Sequence, residues 1–292
     1  MADRFLLLVN PSAGAGRALK RLPAIESAMR DRGLDYRLVM TTGIEQGCAD
    51  ALAGAAAGEI PVVVSGDGLV GRVGGALAGG DVPLGVIPGG RGNDLARVVG
   101  ISDDPAKAVS VLAAGHRRRI DVGEANGQRF LCIASCGFDS DANRIANEAR
   151  LVKGPIVYLY AALRALWQWK AAGFELLLDG RPERLRGYSV GVCNSKAYGG
   201  GMFVAPDAQL DDGLFDVVAK SEQSKLRFLL NIRNVFDGSH LEEPEVSLWR
   251  ARSVEIRADR PFAVYADGER LTDLPARISV LEDALELIAP PS

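Results

Sequence analysis

The 292-residue sequence predicts an α/β nucleotide-binding domain on a mainly parallel sheet, followed by a β-rich, antiparallel, sandwich-like domain. Through residue 122, apolar strand-like runs alternate with helix-like segments, the texture of repeated β-α units covered by helices on both faces. From residue 123 onward, alternating apolar residues are punctuated by hairpin dipeptides, Asp179-Gly180 and Asp267-Gly268. Three early strand-like runs also end in glycine turns: VNPSAGAG at 9–16, SGDG at 65–68 and PGGRGND at 88–94.

In chain order, RFLLLVN reads as a strand, RALKRLPAIESAMRDRG as a helix, DYRLVMT as a strand and GIEQGCADALAGAAAG as a helix. IPVVVSG is the next strand, followed by a glycine-containing helix, the strand VPLGVIP, a helix from Asp94 toward Val99, and the helix PAKAVSVLAAG. The sequence thus divides into residues 1–122 and 123–292, with the extreme C-terminus free to return to the first domain. No internal repeat or low-complexity tract interrupts it.

Composition limits the function. Apolar residues make up 48%, charged residues 24%, and the formal net charge of −3 gives no general attraction to nucleic acid or an anionic membrane. Any contact with a lipid surface must be local. MADRFLLLVNPSAG has too short an apolar run for a secretory signal, so the expectation is a cytoplasmic protein, with peripheral contact at the inner membrane face. Cys48, Cys132, Cys136 and Cys193 are scattered, with only His116 and His240 to join them, which argues against zinc. Cys132 and Cys136 share a face with Ala134 on a strand, as buried thiols would. GPIVYLYAALRALWQW, residues 154–169, is too short to span a bilayer. Its Tyr158, Tyr160, Trp167 and Trp169 read first as core or subunit contact, and second as a membrane-interface stripe. HRRR, 116–119, stands at an expected helix end, where cations favour the helix dipole; anionic headgroups are the alternative partner.

Gly66, Gly68 and Gly71 fall at the G-x-G-x-x-G spacing, but a dinucleotide fold carries that fingerprint in its first β-α turn, with an acid closing the next strand. Here two β-α units precede it and the next strand ends in another glycine turn. No G-x-x-x-x-G-K-[ST] sequence is present, so this is no P-loop enzyme. Each turn can aim backbone N–H groups and a helix N-terminus at phosphate oxygens, and three such cradles in one domain suit a triphosphate. Gly71, Gly74 and Gly75 are expected to let their helix lie close on its sheet, since glycine inside a helix costs about 1 kcal/mol relative to alanine. Asp67, a carboxylate in the same tight turn, suggests a metal or an organised hydrogen-bond network.

In the order NPSAGAG, SGDG, PLGVIPGGRGNDLAR, IDVG, GGGMFVAPDAQLDDGLFDVV and YADGE, the sequence resembles the diacylglycerol kinase catalytic family of soluble lipid kinases, which includes bacterial diacylglycerol kinases and sphingosine kinases. The match runs from Val9 to Glu269. The resemblance implies an NAD kinase/diacylglycerol kinase-like fold, ATP and Mg²⁺ as cofactors, a lipid substrate at a membrane surface and a homodimer, with no role for nucleic acid. By motif match it places Asn10, Ser65, Gly66, Asp67, Gly68, Gly89, Gly90, Arg91 and Asn93 at the nucleotide. Asp67, Asp94, Asp121, Asp212 and Leu214 fall at the metal-linked positions, Asp267 at the general base, and Glu269 beside it. Phosphoryl transfer needs charge neutralisation by Mg²⁺ and a carboxylate to take the acceptor's proton, which this set supplies.

Read singly, several of these acids have plainer roles. Asp267-Gly268 makes a hairpin turn, Asp211-Asp212-Gly213 a solvated turn, and Asp94 beside Asn93 a helix cap. The chain also departs from bacterial relatives: Leu69 and Arg91 stand where they have threonine, Arg72 where they have glutamate, and Ala15 where they have a basic residue, with Arg17 two places on. Arg91 restores a phosphate donor in charged, forked form. The leading expectation is a lipid kinase acting on diacylglycerol or a related lipid. A catalytically weak nucleotide or lipid sensor, a sphingoid-base kinase and an NAD kinase are the alternatives.

Overall fold

The computed structural model describes residues 3–138, 140 and 169–291. Four parallel strands, β1 (Arg4–Val9), β2 (Asp35–Met40), β3 (Glu59–Ser65) and β4 (Gly85–Pro88), form the first sheet in the order β2-β1-β3-β4. Phe5 to Val9 and all of β3 are buried, because helices cover both faces of these central strands; β2 lies at the edge and stays half exposed. Helices α1 (Arg17–Asp31) and α5 (Pro105–Ala114) pack together, as do α2 (Ile44–Ala56) and α3 (Asp67–Leu77). A short α4 (Asp94–Val98) follows β4.

The second sheet is antiparallel. Its main path runs β14 (Glu269–Asp273), β13 (Ala263–Ala266), β7 (Ile133–Gly137), β9 (Arg181–Cys193), β8 (Ala172–Leu178), β12 (Ser253–Ala258), β15 (Ala276–Ile288), β5 (Arg117–Ala125) and β6 (Gln128–Phe130). β10 (Phe215–Ser221) branches from β9 and carries β11 (Val246–Ala251); α6 (Lys225–Asn231) lies in the connection between them. Both expected hairpin dipeptides form: φ is +47° and +83° at Asp179-Gly180, and +51° and +86° at Asp267-Gly268. Two successive left-handed residues match the twist of the flanking strands.

The end of β15 returns to the first sheet. Leu84 donates to Glu286 O at 2.8 Å, Ile288 donates to Leu84 O at 2.9 Å, and Leu285, Leu287 and Ile288 are buried in the same core as β1 and β3. Leu131, Cys132 and Ile133 join that core, while Phe174, Phe215, Val254 and Ile278 belong to a second one inside the sandwich.

Several expectations need amending. The arginines of HRRR lie beyond the end of α5, on β5: Arg117 meets Glu286, Arg118 meets Asp211, and Arg119 donates to Asp283 O. They tie strands and turns rather than a helix end. Ala134 and Cys136 do share the sandwich face, but Cys132, one residue before β7, turns to the other core. No cysteine forms a disulfide. Of the apolar run 154–169, only Trp169 falls within the described residues, and it is buried. No described helix is long and apolar enough to cross a membrane.

Candidate active site

The strands of a parallel sheet all end on one edge, and in open α/β sheets that edge is where ligands bind. Asn10, the end of β3 at Ser65 and the end of β4 at Pro88 bring the three glycine turns together there. They touch one another. A Cβ on Gly14 would lie 2.7 Å from Gly89 O, and one on Gly90 would lie 2.3 Å from the Gly66 Cα, so side chains are excluded where the turns meet. Asn10 accepts from the Ser12 amide and hydroxyl, at 3.1 and 2.8 Å, and Gly89 donates to Ser65 O at 2.8 Å. Asn93, left-handed at φ +53°, accepts from Gly90 N at 2.8 Å and closes the third turn. Arg91 points to solvent at its tip.

Asp67 sits at the start of α3 and reaches across to α4. Its Oδ1 accepts from Asp94 N at 2.6 Å and Leu95 N at 3.4 Å, so Asp67 caps α4, a role the sequence pattern assigns to Asp94. Asp94 instead accepts from Gly200 N, at 3.1 and 3.0 Å to its two oxygens, which joins the second domain to the glycine turns. Burial, then the neighbouring Asp94, raise the Asp67 pKa to about 6; burial also raises that of Asp94. A Cβ on Gly92 would lie 2.7 Å from Asp67 Oδ2 and 3.0 Å from Asp94 Oδ2, so both carboxylates pack against Gly92 where no side chain fits.

Asp267 comes from the β13–β14 turn. Its Oδ2 accepts from Leu131 N at 2.8 Å and its Oδ1 from Cys132 N at 2.9 Å. Burial outweighs these two bonds, and with the charge of Asp67 it raises the Asp267 pKa to about 7. The carboxylate lies against α3. A Cβ on Gly71 would come within 2.4 Å of Asp267 Oδ2, one on Gly68 within 3.0 Å of Glu269 Oε1, and one on Gly75 within 2.9 Å of Arg129 Cβ. Gly74 faces Leu131 and Leu285 in the same way. These glycines therefore admit the second domain; they do not lay the helix on its own sheet. Burial raises the pKa of Glu269, while the Arg72 charge draws it down.

The similarity of the chain to known proteins covers both of its sheets. The diacylglycerol kinase catalytic domain matches residues 4–125, and the YegS C-terminal NAD kinase beta sandwich-like domain matches residues 132–289. A diacylglycerol kinase of Mycobacterium tuberculosis is 35% identical over 97% of this chain and 94% of its own length. The chain belongs to the diacylglycerol kinase family. A Staphylococcus aureus diacylglycerol kinase is 27% identical over 99% of this chain and 93% of its own. A crystal structure from Bacillus anthracis str. Sterne superposes with a TM-score of 0.81 at 25% identity, covering 99% of this chain and 98% of the other.

In this member of the diacylglycerol kinase family, the acids grouped at metal-linked positions separate into two pairs. Asp67 and Asp94 lie at the glycine turns. Asp121 and Asp212 lie elsewhere: Asp121 is buried, accepting from Gly213 N at 2.7 Å and Asp283 N at 2.8 Å, and Asp212 accepts from Leu214 N at 3.1 Å and pairs with Arg250. Arg250 also lies 3.6 Å from Asp216, so one guanidinium serves two acids beside Leu214. Among the described residues no group of three or more acidic, His or Cys side chains is arranged to hold a metal. Leu69 is buried against Gly47 of α2, so that departure falls on packing; Arg72 donates to Gln128 at 2.9 Å across the domain seam.

Sequence reasoning missed other parts of the site. Arg21 binds Asp103 with two bonds, at 2.9 and 2.7 Å, and donates to Pro88 O at 2.9 Å; Arg17 pairs with the same acid and donates to Gly90 O at 3.3 Å. This clamp holds the third turn to α1. Apart from the glycine turns, an open concavity of about 640 Å³ lies at the start of α2, lined by Thr42, Gly43, Ile44, Glu45, Gln46 and Ala49. No spacing signal links Asp103 to the glycine turns, because its contacts with Arg17, Arg21 and Asn93 exist only once the chain is folded.

Proposed function

We propose that the protein transfers the γ-phosphate of ATP to a lipid hydroxyl, with diacylglycerol or a related lipid as acceptor. The observation that carries this reading is the Asp267 carboxylate, clamped by Leu131 N and Cys132 N and lodged against Gly71 of the helix that starts among the glycine turns. This buried carboxylate, with a pKa of about 7, thus lies against α3 about one turn from Asp67 and the glycine turns, which would favour a triphosphate. A base with that proton affinity is suited to work near neutral pH.

In this reading the backbone amides of the turns, held in place by the Arg17 and Arg21 clamp, bind the phosphates, with Arg91 closing over them. Asp67 and Asp94 suit Mg²⁺, which favours one or two carboxylates plus phosphate oxygens, because an oxygen of each lies beside Gly92 in the third glycine turn. Asp212 and the Leu214 carbonyl are the second candidate position, at present neutralised by Arg250. When bound, Mg²⁺ neutralises charge developing on the transferred group. Asp267 takes the proton of the acceptor hydroxyl as its oxygen bonds to phosphorus and the bond to ADP breaks. Glu269, beside it at the seam, orients the acceptor.

The test is transfer from γ-labelled ATP with Mg²⁺ into micelles of diacylglycerol, sphingosine, phosphatidylglycerol or polyprenol, with free NAD as a further acceptor. Label in diacylglycerol, absent with Asp267→Asn while ATP still binds, is the expected result. Label in another acceptor alone overturns the assignment of substrate. Turnover of Asp267→Asn at the normal rate removes Asp267 as the base.

A further inference from the structure

Beside the Asp267 clamp lies a buried side chain that the proposed reaction does not use. Asn194 directly follows β9 and is fully enclosed. Its Nδ2 donates to Leu131 O at 2.8 Å and to Asp121 O at 2.9 Å, and its backbone N donates to Cys132 O at 2.9 Å. Ser195 N also donates to Cys132 O, at 3.2 Å. Asn194 Oδ1, by contrast, is buried and has no partner among the described residues. An unmatched buried acceptor is costly, yet turning the amide over would set that oxygen against two carbonyls. The orientation of the side chain is therefore fixed by the two carbonyls that Nδ2 holds.

Those carbonyls lead to the two halves of the site. Leu131 O and Cys132 N belong to one planar peptide, and Cys132 N donates to Asp267 Oδ1 at 2.9 Å. In a trans peptide the oxygen and the N–H point opposite ways, so Asn194 Nδ2, this peptide and Asp267 form one line of hydrogen bonds. A donor on the carbonyl fixes the peptide plane and polarises its N–H toward the carboxylate. On the other side, Asp121 lies on β5, and its carboxylate accepts from Gly213 N at 2.7 Å and Asp283 N at 2.8 Å. Gly213 stands between Asp212 and Leu214. One NH₂ group thus spans the clamp on Asp267 and the strand that holds the second acidic pair.

We propose that Asn194 is a positioning residue for Asp267: it holds the Leu131–Cys132 peptide in the plane that aims Cys132 N at the carboxylate, and ties that peptide to the Asp121 strand. This deepens the proposed reaction and rests on Asp267 being its base. Asn194 acts through the peptide, not on the nucleotide or the acceptor. Without its NH₂ group the peptide is free to turn, the bond from Cys132 N weakens, and Asp267 keeps its proton to higher pH. Asp67 of α3 and the Cys132 thiol are ionisable groups that act on the same carboxylate, and both stay in place in the variants below.

Asn194→Ala in the full chain tests the proposal, with Asn194→Ser as the milder change that keeps one short donor. Leu287→Ala, also fully buried but sharing none of these bonds, is the control for lost stability. The expected result for Asn194→Ala is a kcat about tenfold lower with the KM for ATP unchanged, since a small displacement of a reacting group is enough for that loss. The rise of kcat/KM with pH should move to higher pH, less so in Asn194→Ser and not at all in Leu287→Ala. A second readout needs no turnover: the carbon-13 carboxyl signal of Asp267, identified by its loss in Asp267→Asn, should titrate at higher pH in both Asn194 variants. Wild-type titration and turnover in both Asn194 variants overturn the proposal. An equal shift in Leu287→Ala overturns it too, because general loosening would then account for the effect. If the carboxyl titration moves while kcat/KM does not follow it, Asn194 still places Asp267, and what falls is the reading of Asp267 as the base.

Discussion

At the residue scale, the informative pair is Asp267 and Gly71. The carboxylate needs the space that Gly71 leaves, and alanine there would press a methyl within 2.4 Å of Oδ2. Gly71→Ala should therefore lower kcat by about a hundredfold, the order expected from displacing a reacting group by an ångström, with little change in the KM for ATP. Equal losses in kcat and ATP binding would show instead that α3 as a whole has shifted. The pKa of about 7 also sets two opposed pH trends. In the proposed role of base, Asp267 works unprotonated, so kcat/KM should rise with pH through about 7. As a buried acid whose folded pKa lies above its unfolded 3.8, it binds its proton more tightly in the folded state. Its contribution to stability is thus complete below about pH 4 and lost as pH rises through about 7. Relative to Asp267→Asn, the wild-type Tm should fall between pH 5 and pH 8; a constant difference would contradict the burial. The sequence made Asp267 visible as the first residue of a hairpin turn, and the family pattern suggested its role. What it could not show was the clamp by Leu131 N and Cys132 N, because backbone donors carry no side-chain signature.

At the scale of elements, α3 joins the two domains along its length. Its start is shared with Asp67 and the glycine turns, Gly68, Gly71, Gly74 and Gly75 admit the second domain, and Arg129 Nη1 closes its end by donating to Gly75 O at 3.0 Å and Ala78 O at 2.8 Å. A cation on the last carbonyls of a helix is favoured by the dipole and satisfies acceptors that the helix cannot. Arg129→Met keeps much of the apolar stem and removes those bonds; denaturant unfolding should show a loss of roughly 1–2 kcal/mol. No loss would mean that water satisfies the end equally well. The glycine spacing was plain in the sequence, but which surface it accommodates was not. Helical periodicity shows that residues share a face, without naming the neighbour.

At the scale of the whole molecule, the cut near residue 122 suggested by the change of texture does not separate two independent bodies. β5 starts at Arg117 within the second sheet, and β15 ends beside β4 in the first. Leu285, Leu287 and Ile288, at the far end of the chain, fill the core built by β1 and β3. A sequence pattern could reveal an apolar final strand, but not which sheet its last turn joins, since that pairing spans some two hundred residues of chain. The consequence is cooperative folding. Leu287→Ala removes a fully buried side chain at the first sheet's edge and should cost about 2–5 kcal/mol. All three tryptophans, Trp167, Trp169 and Trp249, lie in the second half of the sequence, so their fluorescence reports mainly on that half. With one cooperative unit, Leu287→Ala lowers the midpoint of the tryptophan transition by the same amount as that of the far-ultraviolet circular dichroism transition. If only the latter moves, the domains unfold separately, and the shared core does not couple the glycine turns to Asp267 during unfolding.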